Sequence, residues 1–173
     1  LLRRGEYEYK IQEASRERGF GDLLVGRLQH TDPKIRYYAV SAMQDIRKQP
    51  NVYSRLIDTL DDDDPQVRCL AGETICSMHT TNEPDSGIGD DLFDKAVGSL
   101  ISHLADEDFM VRSEAAAALA KMPDRRAIHS LMVQLEDPYA SVRESAAIAL
   151  SNLHEKRLFK RLVRLYQGEN IIL

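Results

Sequence analysis

Asp64-Pro65-Gln66-Val67-Arg68 decides how this chain folds, because the same phrase returns along it at a regular beat. It stands earlier as Asp32-Pro33-Lys34-Ile35-Arg36 and later as Asp108-Phe109-Met110-Val111-Arg112. A looser copy runs from Asp137-Pro138 into Ser141-Val142-Arg143. Taken as anchors, the branched residues at 35, 67, 111 and 142 are spaced by 32, 44 and 31 residues. The polar, glycine- and proline-containing segment 80–91 accounts for the long interval and reads as a loop inserted between two regular repeats.

Working outward from the anchors, the register repeats column by column. Four residues on stand Ala39, Ala71, Ala115 and Ala146; eight on, Met43, Ile75, Leu119 and Leu150; eleven on, Ile46, Met78, Met122 and Leu153. Those offsets fall on one stripe of an α-helix, which predicts a buried face. Upstream, Leu24/Val25/Leu28, Leu56/Ile57/Leu60, Leu100/Ile101/Leu104 and Leu131/Met132/Leu135 mark a second amphipathic helix before each anchor. The acidic turn between the two helices suits a helix start, since a carboxylate caps free N–H groups and proline fits the first turn. A helix pair of this size cannot bury both apolar stripes alone, so the units must stack.

A helix-pair repeat of this length with Asp-Pro-x-Val-Arg at its turn resembles the HEAT-like repeats of phycobilin lyases. The resemblance implies an all-α fold: a right-handed α-α superhelix, or HEAT-like α-solenoid, of about four and a half helix-pair repeats. The repeats are expected over 19–49, 50–79, 91–122 and 123–154, with a partial unit over 155–173 and an N-terminal helix within 1–18 packing on the array. Leu173 falls where the next anchor would stand, so the second helix of the partial unit is missing, and Leu1 is not methionine: either the chain is a fragment or its termini were trimmed.

Composition narrows the function. The 43% hydrophobic and 29% charged residues suit a chain that buries a core, and no apolar run reaches a membrane span. The formal charge of −5 argues against nucleic acid, because phosphate binding needs a basic surface. The segment from Asp58 to Asp94 is strongly acidic, with Arg68 its lone cation. Lys156, Arg157, Lys160, Arg161 and Arg164 form a basic cluster near the end, the basis of a weaker nucleic-acid reading. Two cysteines make no disulfide framework, which fits a cytoplasmic protein.

Catalytic inventories come up short. A HEAT-like hydroxylase family carries His-Glu pairs on its helices, but the corresponding positions here are Ser113-Glu114 and Glu144-Ser145, and the one His-Glu step is His154-Glu155. His30, His79, His103 and His129 are scattered without helical pairing and read as solvated or capping residues. Cys69 and Cys76 lie about 10 Å apart along one helix, too far for a disulfide, and a Cys76–His79 contact lacks a third, orienting group. Gly19-Phe20-Gly21 has no strand before it and makes no phosphate loop. No metal ligand set, no cofactor and no enzymatic activity is expected, and a small-molecule ligand is disfavoured.

Arg36, Arg68, Arg112 and Arg143 recur once per layer. They are expected to form a structural ladder with the turn carboxylates Asp32, Asp64, Asp108 and Asp137. The second helix of each pair is expected to line the concave side, with offsets 2, 6 and 9 facing out. That row is Tyr37, Ser41, Gln44; Cys69, Glu73, Cys76; Ser113, Ala117, Ala120; and Glu144, Ile148, Ser151. Its small, fairly apolar residues suit a partner protein presenting a helix or an extended peptide. The expected function is therefore a non-enzymatic protein-binding scaffold or adaptor. The runner-up is a bilin lyase-like factor that holds a chromophore in the same groove.

Overall fold

In the computed structural model, residues 19–44, 49–80 and 89–153 are described, and all of their regular structure is helical. The outer helices are α1 (Phe20–Arg27), α3 (Pro50–Thr59), α5 (Asp90–His103) and α7 (Ile128–Gln134), the last preceded by a 3-10 turn at Arg125–Ala127. The inner helices are α2 (Pro33–Met43), α4 (Pro65–Thr80), α6 (Phe109–Lys121) and α8 (Ala140–Asn152). The N-terminal helix expected within 1–18, most of the 80–91 insertion, the partial unit 155–173 and the basic cluster at 156–164 lie outside the described residues.

Each outer helix packs on the inner helix that follows it, and the inner helices stack in the order α2, α4, α6, α8. This inner row is packed more closely than the outer one, which puts it on the inside of the curve. The offset-0, -4 and -8 columns carry the core: Ala39, Met43, Val67, Ala71, Ile75, Val111, Ala115, Leu119, Val142, Ala146 and Leu150 are all buried. Outer-helix residues Tyr53, Leu56, Leu60, Leu100, Leu104 and Leu131 fill the space against them. Each large apolar side chain so buried contributes about 1.5–3 kcal/mol. The stripe periodicity read from the chain is therefore the packing periodicity of the solenoid.

The turns divide the work between two acidic positions, which corrects the expected ladder. Asp32, Asp64 and Asp108 are N-caps: their Oδ1 atoms accept the N–H of Lys34, Gln66 and Met110 at 2.9, 2.9 and 2.7 Å. The arginines reach instead to the carboxylate two residues before the cap of the next layer. Arg36 donates from Nε and Nη2 to Asp62, both at 2.7 Å, and Arg112 donates the same way to Asp137 at 2.7 and 3.2 Å. Arg68 reaches Asp106 through Nη2 alone, at 2.8 Å, and its buried Nε has no partner among the described residues.

Every one of these arginines also donates Nη1 to two carbonyls of its own turn: His30 and Thr31, Asp62 and Asp63, Asp106 and Glu107, Asp137 and Pro138. Asp137 thus matches Asp62 and Asp106, and Tyr139 takes the cap position of α8 without a capping side chain. A cap-position aspartate faces its own helix start, whereas the residue two earlier faces the neighbouring layer. Pairing across layers therefore falls to the earlier one.

Candidate functional site

The exposed face of the inner row is where a partner could be held. Tyr37, Gln44, Glu73, Glu144, Ile148 and Ser151 are exposed there, and Ser41, Cys69, Ser113 and Ala117 are half-buried. Cys76 and Ala120 do not belong to the row: Cys76 is fully buried and Ala120 nearly so. Offset 9 lies on the flank of the helix, and α4 and α6 have an inner helix on each side. The Cys76 Sγ sits 4.0 Å from the Ala118 carbonyl, and Asn152 donates to the Ala120 carbonyl at 2.8 Å. The same offset is open at Gln44 and Ser151, on the two end helices of the described row.

A groove of ≈ 630 Å³ runs across the four inner helices, lined by Tyr37, Gln66, Cys69, Leu70, Glu73, Phe109, Met110, Ser113, Glu114 and Ser141. It brings together four of the expected residues: Tyr37, Cys69, Glu73 and Ser113. The other exposed ones share the face without lining this concavity. Gln66, Cys69, Leu70 and Glu73 on α4 stand at i, i+3, i+4 and i+7, and Met110, Ser113, Glu114 and Ala117 repeat that spacing on α6. The true stripe sits at offsets −1, 2, 3 and 6, rotated toward the helix start by about half a turn-step from the expected one. Met110, one residue before the Val111 anchor, is 53% exposed on an otherwise well-buried helix and marks that rotation.

Apolar surface lines one rim. Tyr37 and Tyr38 meet edge to face with centroids 5.9 Å apart, and Phe109 stacks on Tyr139 at 4.2 Å with the Arg112 guanidinium 5.8 Å from the Tyr139 ring. Ser113, which lines the groove, shares a hydrogen bond of 3.2 Å between its Oγ and Ser145 Oγ. Beside them, burial pushes the Glu114 carboxyl up to about 7, with repulsion from Glu73 adding to it and Lys121 opposing it. The Cys69 thiol is pushed up to about 12, first by burial and then by Glu114 and Asp108. Burial also raises the Cys76 thiol. Neither sulfur is poised as a nucleophile.

Three of the described histidines make contacts within the fold. His30 Nδ1 accepts the Asp32 N–H at 3.0 Å, His103 Nδ1 lies 2.8 Å from the Ser99 carbonyl with Nε2 3.4 Å from Asp61, and His79 lies against Phe93 at 4.7 Å. Among the described residues, no cluster of three or more His, Cys, Asp or Glu could hold a metal ion, and no helix is long and apolar enough to cross a membrane.

Stacked helix pairs, a cross-layer arginine ladder and a continuous inner groove define an α-solenoid repeat protein. The model of HEAT repeats matches residues 54–151 and 97–170, so the chain belongs to the HEAT-repeat family. No curated protein matches it. Among solved structures it is similar to the complex of CpcE and CpcF of phycocyanin lyase from Nostoc sp. PCC7120, at 19% identity and a TM-score of 0.64 over 83% of this chain and 88% of that one. A designed armadillo repeat protein in complex with the peptide (KR)4 is similar at 20% identity and TM-score 0.60, over 94% and 84%. Human deoxyhypusine hydroxylase in complex with glycerol is similar at 26% identity and TM-score 0.60, over 81% of this chain but 45% of the hydroxylase. One fold therefore serves a designed peptide binder and two enzyme systems, and the site decides between them.

Proposed function

We propose that this chain is a protein-binding scaffold that holds an extended segment of a partner along its inner groove. The carrying observation is the repeated i, i+3, i+4, i+7 stripe, which gives successive inner helices equivalent surface positions around one ≈ 630 Å³ concavity. Exposed Tyr37 and Met110 supply apolar contact in the groove, exposed Ile148 extends it along the same face, and Gln66, Ser113 and Ser141 offer hydrogen-bonding groups to a peptide backbone. The similarity to an armadillo protein that carries a peptide supports the same use of a solenoid. The chromophore-handling reading would use the same groove, and it is supported by likeness to the phycocyanin lyase complex. It loses ground because Cys69 is held protonated and Cys76 is buried.

The test is site-specific photo-crosslinking from position 110 in the native extract, compared with position 133 on the outer row, where Val133 is 59% exposed. A discrete adduct from 110 alone, lost on Ala117→Arg and Ile148→Glu, supports the groove. Equal labelling from both positions, or adducts indifferent to those substitutions, contradicts it. Visible-range absorbance in the purified protein would favour the chromophore reading.

A further inference from the structure

We infer that the groove selects a basic segment, seating one lysine or arginine side chain between Glu73 and Glu114 with an apolar neighbour against Met110 and Tyr37. This rests on the groove being a peptide site and says what chemistry it takes. Among the described residues, Glu73 and Glu114 are the charged side chains that line the groove, and both are negative. Glu114 is half-buried, and among the described residues the cation acting on it is Lys121, seven residues on along its own helix, whose pull does not offset burial and the repulsion of Glu73. That is costly for a carboxylate, since a desolvated charge needs a partner. The turn edge of the same molecule pairs its buried carboxylates with arginine, so the groove carboxylates are open where the fold elsewhere closes such sites. A cation arriving from outside supplies the missing partner, and the apolar lining at Tyr37, Leu70, Phe109 and Met110 shields the pair from water.

The protonation of Glu114 makes this recognition sensitive to pH. The charged and titratable groups around it are Glu73 and Cys69 on α4, Lys121 on its own helix, and Glu144, exposed on the same stripe of α8. On α2 the stripe carries Lys34, exposed at its start. With its carboxyl titrating near 7, Glu114 is neutral in mild acid and offers a cation nothing; ionised, it attracts one. Cation binding therefore expels the proton.

The experiment uses the full chain and three fluorescein-labelled peptides of alternating leucine with lysine, serine or glutamate, read by anisotropy. The lysine peptide is expected to bind more tightly than the serine peptide, and the glutamate peptide least. The lysine preference should tighten up to about tenfold from about pH 6 to about pH 8. In the double variant Glu73→Gln/Glu114→Gln, checked for fold by circular dichroism, that preference and its pH dependence vanish, so that the lysine and serine peptides bind alike. A lysine preference that survives the double variant, or that is lost instead on Asp61→Asn/Asp63→Asn, overturns the basic-segment inference and leaves the groove reading standing. Binding of every peptide that is indifferent to Ala117→Arg overturns the groove reading itself.

Discussion

The two edges of the inner row use acidic residues in opposite ways. At the turn edge, Asp137 lies beside Arg112, whose guanidinium holds its carboxyl below the usual carboxylate range. In the groove, burial pushes the Glu114 carboxyl up to about 7, and its neighbour Glu73 adds to the shift. One carboxylate is closed off by its own chain and the other is left open. Charges committed to the fold and charges available to a partner are distinguished by their partners, not by residue type.

The largest effect should come from breaking the closed side. Arg112→Ala leaves Asp137 buried and without its fork, at a cost of about 3–5 kcal/mol in chemical denaturation. A loss below 1 kcal/mol would mean the ladder is decorative. Replacing the arginines with lysine tests the geometry more finely. Lysine offers one nitrogen in place of three, so Arg112→Lys cannot keep both bonds to Asp137, whereas Arg68 makes a single bond to Asp106 and its Nε has no partner, so the first should be the more destabilising of the two.

The open side should respond to pH with the reverse sign. Glu114 titrates above the ordinary 4.5, so the native state keeps a proton that the unfolded chain releases. Its contribution to stability therefore falls as pH rises from 4.5 to about 7. Glu114→Gln should accordingly raise the melting temperature by about 2–4 °C above that window and leave it unchanged below. Asp137 behaves oppositely: its lowered carboxyl stabilises the fold above the unfolded value of 3.8, and that stabilisation is lost as pH falls through the native value. A melting profile in which Glu114→Gln and Asp137→Asn shift in the same direction as pH rises would erase the distinction.

The smallest effect concerns Gly72, which separates Glu114 from the core. A Cβ there would meet Glu114 Cγ at 3.6 Å, Leu100 Cδ2 at 3.7 Å and Leu60 Cδ2 at 3.8 Å, all ordinary contacts. Gly72→Ala should stabilise α4 by about 0.5–1 kcal/mol, because it restores helix propensity without strain. Destabilisation in denaturant would show that the groove floor has no room to spare.

The helix pairs and their stacking were legible because packing writes itself into spacing: Ala39, Ala71, Ala115 and Ala146 recur at one offset and are all buried. The caps were legible too, where Asp32, Asp64 and Asp108 precede their helices. The pairing of the ladder was hidden, because Asp62 and Asp64, or Asp106 and Asp108, are the same residue two positions apart and only the neighbouring layer tells them apart. The rim of the groove was hidden for a related reason. How much of a helix is covered depends on how many helices flank it, so Cys76 and Ala120 vanish between neighbours while the equivalent Gln44 and Ser151 stay open. The unusual state of Glu114 comes first from its burial and then from Glu73 on the neighbouring inner helix, neither of which spacing along one helix reports.

The most direct measurement follows the side-chain carboxyl carbon of Glu114 by NMR across pH, with and without a saturating lysine–leucine peptide. The midpoint should lie near 7 for the protein alone and drop toward the ordinary 4.5 when the peptide is bound. A midpoint that stays where it was as the peptide saturates would contradict the claim that this groove is an open carboxylate site awaiting a cation.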